Sequence, residues 1–287
     1  MRPSATKFTA TCLFMFTSMV ITFMPYPSQK SWADEQPAEP TAQEIHAKYQ
    51  ALGKPSRALL EKFHADTYTY SDGKKLPYRL FTPENTDGKE KLPLIVFLHG
   101  AAGKGDNNLG QMTDQIVCPS VWALPENQAK NPCFVLAPQS SGFGGYAGWS
   151  REIVPMVKSL VDEITAGHNI DSNRIYITGL SMGGYGTWNL LTLYPDFFAA
   201  GVPVCGKGDT SQAALLVEHK VPVWVFHGAI DKVVPVAGSR DMVAALKKAG
   251  GKPHYTEYPD IGHNSWEGAY TDPNLPKWLF GQRRGKE

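Results

Sequence analysis

The run Gly179-Leu180-Ser181-Met182-Gly183 holds a serine between two glycines. This pattern is typical of a strand-to-helix turn that is so tight that the flanking residues must be small. Such a turn presents the hydroxyl at a helix N-terminus, where the local dipole favours developing negative charge. The surrounding sequence predicts a strand over Arg174–Thr178 and a helix over Met182–Tyr194. In that context we expect Ser181 to be a catalytic nucleophile.

Two later residues have the types and places needed to activate that serine. Asp231 follows the predicted strand Val223–His227, and His263 lies in a loop after the last predicted strand. The chain order serine, aspartate, histidine is that of the α/β-hydrolase fold and differs from the orders in chymotrypsin-like and subtilisin-like enzymes. We expect His263 to take the Ser181 proton and return it to the leaving group, while Asp231 fixes the histidine tautomer.

Each partner has rivals in the sequence. Asp209 follows the preceding strand, and Asp260 lies close to the histidine. Asp231 is better placed than either because it follows the penultimate strand. His227 and His254 are alternative bases, but both fall on or beside strands and are better explained as buried or supporting groups.

A second loop is the candidate oxyanion site. The run Leu98–Gly103, Leu-His-Gly-Ala-Ala-Gly, resembles the His-Gly-Gly-Gly type of turn, whose backbone N–H groups face the substrate oxygen. We expect the amides of Ala101 and Met182 to be the two donors. A phosphate-binding loop is excluded because Gly103-Lys104 is followed by Gly105 and not by serine or threonine.

Two aromatic residues and the cysteines complete the candidate chemistry. Trp149 and Trp266 are expected to bind substrate by stacking on a sugar or aryl group, although a tryptophan is more often structural.

Cys205 has no obvious base beside it, so a catalytic thiol is not expected. No spacing of cysteine and histidine resembles a zinc site, so we expect no metal and no cofactor. Cys118 and Cys133 either pair across a short loop or are buried as free thiols.

The elements that must position these residues follow from the hydrophobic pattern. Continuous apolar runs are typical of parallel strands covered on both faces. They occur at Leu94–Leu98, Phe134–Ala137, Arg174–Thr178, Gly201–Val204, Val223–His227 and Tyr255–Tyr258. Helical patterns fall between them at Ile153–His168, Met182–Tyr194, Gln212–Glu218 and Val236–Ala249. This alternation predicts an α/β fold with a mostly parallel central sheet and helices on both faces.

The N-terminal part of the chain has a different organisation. Residues 1–33 combine a basic start, a short apolar stretch and a small-x-small site at Ser31-Trp32-Ala33, which predicts a cleaved export signal, with an uncleaved anchor as the alternative. Residues 34–44 are expected to be a flexible leader, and residues 45–287 a single domain. Helical segments are predicted within residues 42–64, interrupted near Gly53 and Pro55. Thr67–Tyr70 and Leu76–Phe81 then predict an antiparallel hairpin at a sheet edge.

The composition limits the partners. The formal net charge is +1, and we find no basic stripe interleaved with aromatics, so we expect no nucleic-acid binding. After residue 33 no segment is apolar for long enough to cross a bilayer, so no membrane association is expected after signal cleavage. Because residues 1–33 predict an export signal, the expected localisation is outside the cytoplasm, either periplasmic or extracellular.

Four runs together resemble a known group of enzymes. They are Leu94–Asn108, Ile170–Trp188, Pro203–Asp209 and Gly262–Leu279. They look like the secreted esterase and "predicted peptidase" branch of the α/β-hydrolases, which is related to feruloyl esterases, polyhydroxybutyrate-depolymerase-like enzymes and prolyl-oligopeptidase catalytic domains. The resemblance implies Ser181, Asp231 and His263 as the triad, with Ala101 and Met182 as oxyanion donors. The chain departs from the group at Ala102–Asp106, where relatives often have Gly-Glu-Arg-Gly-Asp. The resemblance therefore predicts the fold and the triad but not the substrate.

We therefore expect a serine carboxylic ester hydrolase that acts through an acyl-enzyme. Short-chain or plant-derived esters of the feruloyl or acetyl type, free or linked to a polysaccharide, are the expected substrates. The alternatives are a serine peptidase of the prolyl-oligopeptidase type and a non-catalytic binding protein on the same fold.

Overall fold

The computed structural model describes residues 40–84, 90–115, 119–141 and 148–285. The export signal predicted over residues 1–33, leader residues 34–39 and Cys118 lie outside these ranges. None of the helices within them combines the length and apolar character that a membrane span needs.

A single sheet runs through the described part of the chain. Its strands are β1 (Phe63–Thr69), β2 (Lys75–Phe81), β3 (Leu92–Leu98), β4 (Phe134–Pro138), β5 (Ile170–Leu180), β6 (Ala200–Val204), β7 (Trp224–Gly228) and β8 (His254–Tyr258). The spatial order is β1-β2-β4-β3-β5-β6-β7-β8. β1 and β2 pair antiparallel at one edge, β2 pairs antiparallel with β4, and the remaining pairs are parallel. The predicted α/β-hydrolase architecture with its edge hairpin is confirmed.

The helices connect the strands and cover both faces of the sheet. They are α1 (Ala42–Leu52), α2 (Arg57–Glu61), α3 (Gly110–Thr113), α4 (Pro125–Lys130), α5 (Val154–Gly167), α6 (Met182–Leu193), α7 (Ala213–Glu218), α8 (Ala237–Lys248), α9 (Trp266–Thr271) and α10 (Asn274–Phe280).

The buried side chains divide into two layers because successive residues of a strand point to opposite faces. In β3, Ile95 and Phe97 pack with residues of α1, α9 and α10, whereas Leu94 and Val96 pack with residues of α5, α6 and α8. Every residue of β3 is buried. A continuous apolar run is therefore what a central strand between two helical layers requires.

The N-terminal boundaries differ from those predicted. Residues 42–44 belong to α1 and not to a flexible leader. Thr41 accepts the N–H of Glu44 while the Glu44 carboxylate accepts the N–H of Thr41, and this capping box starts the helix. The helical expectation over residues 42–64 also ends too late, because Phe63 pairs with Phe81 and begins β1.

Candidate active site

The turn that carries Ser181 joins β5 directly to α6. Ser181 has a φ of 53°, a left-handed conformation that costs a non-glycine residue about 1–3 kcal/mol. Its N–H donates to the carbonyl oxygen of Val204 in β6 at 2.9 Å, which holds the turn against the neighbouring strand. A Cβ atom at Gly179 would lie 2.5 Å from the carbonyl oxygen of Gly183, so the first glycine of the motif is required by the tightness of the turn.

Three side chains from separate loops meet above this turn. The Nε2 atom of His263 lies 2.9 Å from Ser181 Oγ, and its Nδ1 atom lies 2.8 Å from Asp231 Oδ2. A carboxylate only accepts hydrogen bonds, so Nδ1 carries the proton and Nε2 is free to accept the serine O–H. Asp231 and Ser181 are buried, whereas the His263 side chain is 20% exposed. The arrangement can withdraw the proton from the Ser181 hydroxyl.

The carboxylate of Asp231 is held by its own loop. Its Oδ1 atom accepts the N–H of Val233 at 2.8 Å and the N–H of Val234 at 2.9 Å. These two bonds leave Oδ2 facing the histidine. The rival acids are not brought there: Asp209 is exposed and accepts the N–H and O–H of Ser211, and Asp260 is exposed. His254, a rival base, is exposed and packs between Trp224 and Trp278.

The two expected oxyanion donors lie at the starts of helical turns. Ala101 begins a 3-10 turn over Ala101–Gly103, separated from the end of β3 by two residues, and Met182 is the first residue of α6. The first N–H groups of a helix have no partner within it. Neither amide has an acceptor within the described ranges. β3 and β5 are hydrogen-bonded neighbours, with Leu98 paired to Gly179, so both loops leave the same edge of the sheet.

Known proteins resemble this chain in fold and in sequence. Residues 147–272 match the family model described as Phospholipase/Carboxylesterase. The crystal structure of a thermostable esterase matches with a TM-score of 0.72 at 39% identity, over 79% of this chain and 64% of that one. These matches agree with the α/β-hydrolase fold of the chain.

Two curated relatives agree with the branch that the sequence motifs predicted. It is 24% identical to "Probable feruloyl esterase C" of Aspergillus niger, over 66% of this chain and 68% of the relative. It is 44% identical over 50 residues to "Poly(3-hydroxyalkanoate) depolymerase C" of Paucimonas lemoignei, over 17% of this chain and 12% of the relative. The resemblance to feruloyl esterases and depolymerases is confirmed. The chain spans less than two thirds of the lengths of the thermostable esterase and the depolymerase.

Two residues that hold the candidate oxyanion loop were not assigned that role from the sequence. His99 is fully buried; its Nδ1 lies 2.6 Å from the carbonyl oxygen of Gly100, and its Nε2 lies 3.0 Å from the N–H of Ser140. Burial lowers the pKa of His99 to about 4, so the ring is neutral and donates only from Nδ1. Asp114 accepts the N–H of Gly100 at 2.8 Å. The position of His99 before the loop glycine was a usable signal, whereas Asp114 had none.

The two tryptophans have different places. The prediction that Trp149 stacks on a substrate is wrong, because only 1% of the residue is exposed. Its ring packs on the His99 imidazole, and its Nε1 donates to the His99 carbonyl oxygen at 3.0 Å. Trp149 thus supports the candidate oxyanion loop through its contacts with His99. Trp266 packs edge-on against the His263 ring, with centroids 5.4 Å apart, so it lies beside the candidate base. Contact of Trp266 with substrate stays a prediction.

The cysteines in the described ranges are buried free thiols, Cys133 and Cys205. Ligand atoms of Cys205, Asp231 and His263 lie within 4.8 Å of one another. Burial raises the pKa of the Cys205 thiol to about 12, and a metal binds the thiolate and not the thiol. Asp231 and His263 are also hydrogen-bonded to each other. These three residues are therefore poorly prepared to hold a metal ion.

Proposed function

We propose that this α/β-hydrolase is an exported serine carboxylic ester hydrolase that works through an acyl-enzyme. The observation that carries the proposal is the chain of two hydrogen bonds from Ser181 Oγ through His263 to Asp231 Oδ2. The same three residue types in the same hydrogen-bonded order perform acyl transfer on several unrelated folds.

The proposed reaction has two balanced stages. Ser181 Oγ attacks the ester carbonyl carbon while His263 Nε2 takes the hydroxyl proton, and the Ala101 and Met182 N–H groups bind the resulting oxyanion. The bond to the alcohol then breaks, and the imidazolium gives its proton to the departing oxygen. Water attacks the acyl-enzyme and gives a proton to His263. The carboxylic acid leaves as that proton returns to Ser181.

The substrate class is proposed from the relatives. Their names include a feruloyl esterase and a poly(3-hydroxyalkanoate) depolymerase, and both names denote cleavage of esters. We infer short-chain or plant-derived esters of the feruloyl or acetyl type, free or linked to a polysaccharide. Export is inferred from the signal pattern of residues 1–33. The intact mass of the secreted protein tests export: a chain beginning at Asp34 supports it, and a chain that keeps Met1 contradicts it.

The test of the function is turnover of p-nitrophenyl esters from acetate to palmitate, methyl ferulate and a p-nitroanilide. We expect ester turnover that favours short acyl chains, loss of turnover and of fluorophosphonate labelling in Ser181→Ala, and a fall in kcat of about 10⁴-fold in Asp231→Asn. Asp209→Asn is the matched control and should stay within about twofold of the parent. Cleavage of the anilide alone would indicate a peptidase. Equal turnover in the parent and Ser181→Ala would remove the basis of the proposal.

A further inference from the structure

A second histidine lies behind the candidate triad, on the far side of Asp231. His227 is the fourth residue of β7 and is completely buried. Its Nδ1 atom lies 2.7 Å from Ser239 Oγ in α8. Its Nε2 atom lies 3.0 Å from the carbonyl oxygen of Val234 and 3.2 Å from Asp231 Oδ2. The imidazole therefore bridges α8 and the loop that carries the candidate acid.

The partners of His227 determine which nitrogen carries its proton. A carbonyl oxygen and a carboxylate only accept, so the proton lies on Nε2, which donates to the Val234 carbonyl oxygen and faces Asp231 Oδ2. Burial lowers the pKa of His227, which keeps the ring neutral. Nδ1 then has no proton and accepts the hydroxyl of Ser239. That hydroxyl also lies 3.2 Å from the carbonyl oxygen of Gly206, but its single proton is better placed for the shorter contact at 2.7 Å.

The carboxylate of Asp231 is consequently surrounded by donors. Oδ1 accepts two backbone N–H groups, and Oδ2 faces His263 Nδ1 at 2.8 Å and His227 Nε2 at 3.2 Å. A buried carboxylate without donors is costly, and one with donors on a single side can rotate about its terminal bond. The His227 N–H stabilises the buried charge and opposes that rotation.

We propose that His227, with its ring held in place by Ser239, is a positioning residue for Asp231 in the acyl-transfer reaction. The inference rests on the proposed function, because it assigns a task to Asp231 as the acid of the triad. His227 touches no reacting atom. It keeps Oδ2 directed at His263 and is a second side-chain N–H beside that oxygen, which otherwise faces His263 alone.

This role makes a prediction about pH. With the His227 donor removed, the Asp231 carboxylate would bind the imidazolium form of His263 more strongly. The acid limb of the kcat/KM profile, where the base is lost by protonation, should therefore move to higher pH. The other charged groups near His227 are Glu257, its register partner in β8, and Arg240 of α8, which binds Glu257 at 2.9 Å through Nε. This pair remains in the variants.

The experiment measures kcat, KM and the pH profile on p-nitrophenyl acetate, with a thermal melt of each protein. In His227→Phe we expect kcat to fall about 10- to 100-fold with KM little changed, as for other groups that orient a catalytic ligand. We also expect the acid limb of the kcat/KM profile to move to higher pH. His227→Gln can place an amide N–H where Nε2 lies, so it should recover most of the activity and the parental limb. The control is His219→Gln, which removes a histidine bound to Asp196 outside the site and should change neither kcat nor the limb.

Two results would overturn the inference. One is a folded His227→Phe with parental kcat and limb, and the other is His227→Gln that is no better than His227→Phe. If His227→Phe does not fold, Ser239→Ala decides, because it removes the bond that holds the His227 ring. An acid limb at higher pH supports the proposed role of His227, and an unchanged limb refutes it. Failure of the proposed function is a separate observation, because there Ser181→Ala would turn over the ester as fast as the parent.

Discussion

The imidazole of His99 donates to the carbonyl oxygen of Gly100 over 2.6 Å, and this bond sets the direction of the Ala101 N–H. The peptide that joins Gly100 to Ala101 is planar and trans, so its carbonyl and its N–H point in opposite directions. Because the N–H of Gly103 also donates to the Gly100 oxygen at 3.2 Å, that oxygen is held by two donors. The proposed oxyanion donor is therefore oriented before any substrate arrives.

The first prediction concerns that orientation. His99→Phe keeps a ring against Trp149 but has no donor for the Gly100 oxygen, so the Ala101 peptide is held only by the longer bond from the Gly103 N–H. We expect kcat for p-nitrophenyl acetate to fall about 10- to 100-fold, less than the 10²- to 10³-fold typical of losing an oxyanion donor outright. KM should change little because the contact strengthens only in the transition state. His99→Asn, whose amide can replace Nδ1, is the matched control; if both variants keep parental kcat, His99 does not orient the loop.

The second prediction follows from the pKa of His99, which burial lowers from 6.5 to about 4. Between these values the unfolded chain binds a proton that the folded chain does not, so the free energy of unfolding falls as pH drops from 6.5 toward 4. At pH 4.5 the loss is about 2 kcal/mol relative to pH 7. Urea denaturation of both proteins at pH 7 and pH 4.5 tests this. The loss in the free energy of unfolding should be smaller in His99→Asn than in the parent by about 2 kcal/mol. An equal pH dependence in the two proteins would contradict the assignment.

The third prediction tests the contact between the two loops of the site. A Cβ atom at Gly183 would lie 2.0 Å from the carbonyl oxygen of Leu98, which is backbone and cannot move aside. Gly183→Ala should lower the free energy of unfolding by about 3 kcal/mol or more. Gly167→Ala is the control: this helical residue has open space within 4 Å and ordinary φ, so the change should be neutral or stabilising by up to about 1 kcal/mol. Thermal and urea melts of the two variants compare them directly, and similar melts would mean that the turn can relax.

Much of the fold could be predicted because its signals are local. The apolar run Leu94–Leu98 predicted β3, and the apolar periodicity after Met182 predicted α6, each to within two residues. Short helices were missed: α9 and α10 follow one another near the chain end, and residues such as Trp266 and Leu279 are helical there because they pack on the sheet. A helix of six or seven residues has little intrinsic stability, so its sequence pattern is weak.

The sequence by itself determined the strand order along the chain, the tight turn at Ser181 and the identity of the three side chains that meet there. These properties depend on hydrophobic period, glycine spacing and the loops that follow parallel strands, which are visible in neighbouring residues. Only the tertiary structure decided that Trp149 is buried beneath His99, that Asp114 binds Gly100, and that His227 lies between Ser239 and Asp231. Most of these contacts join different elements of the chain, and all depend on side-chain direction and on the register and packing of whole elements. No local pattern encodes those distances.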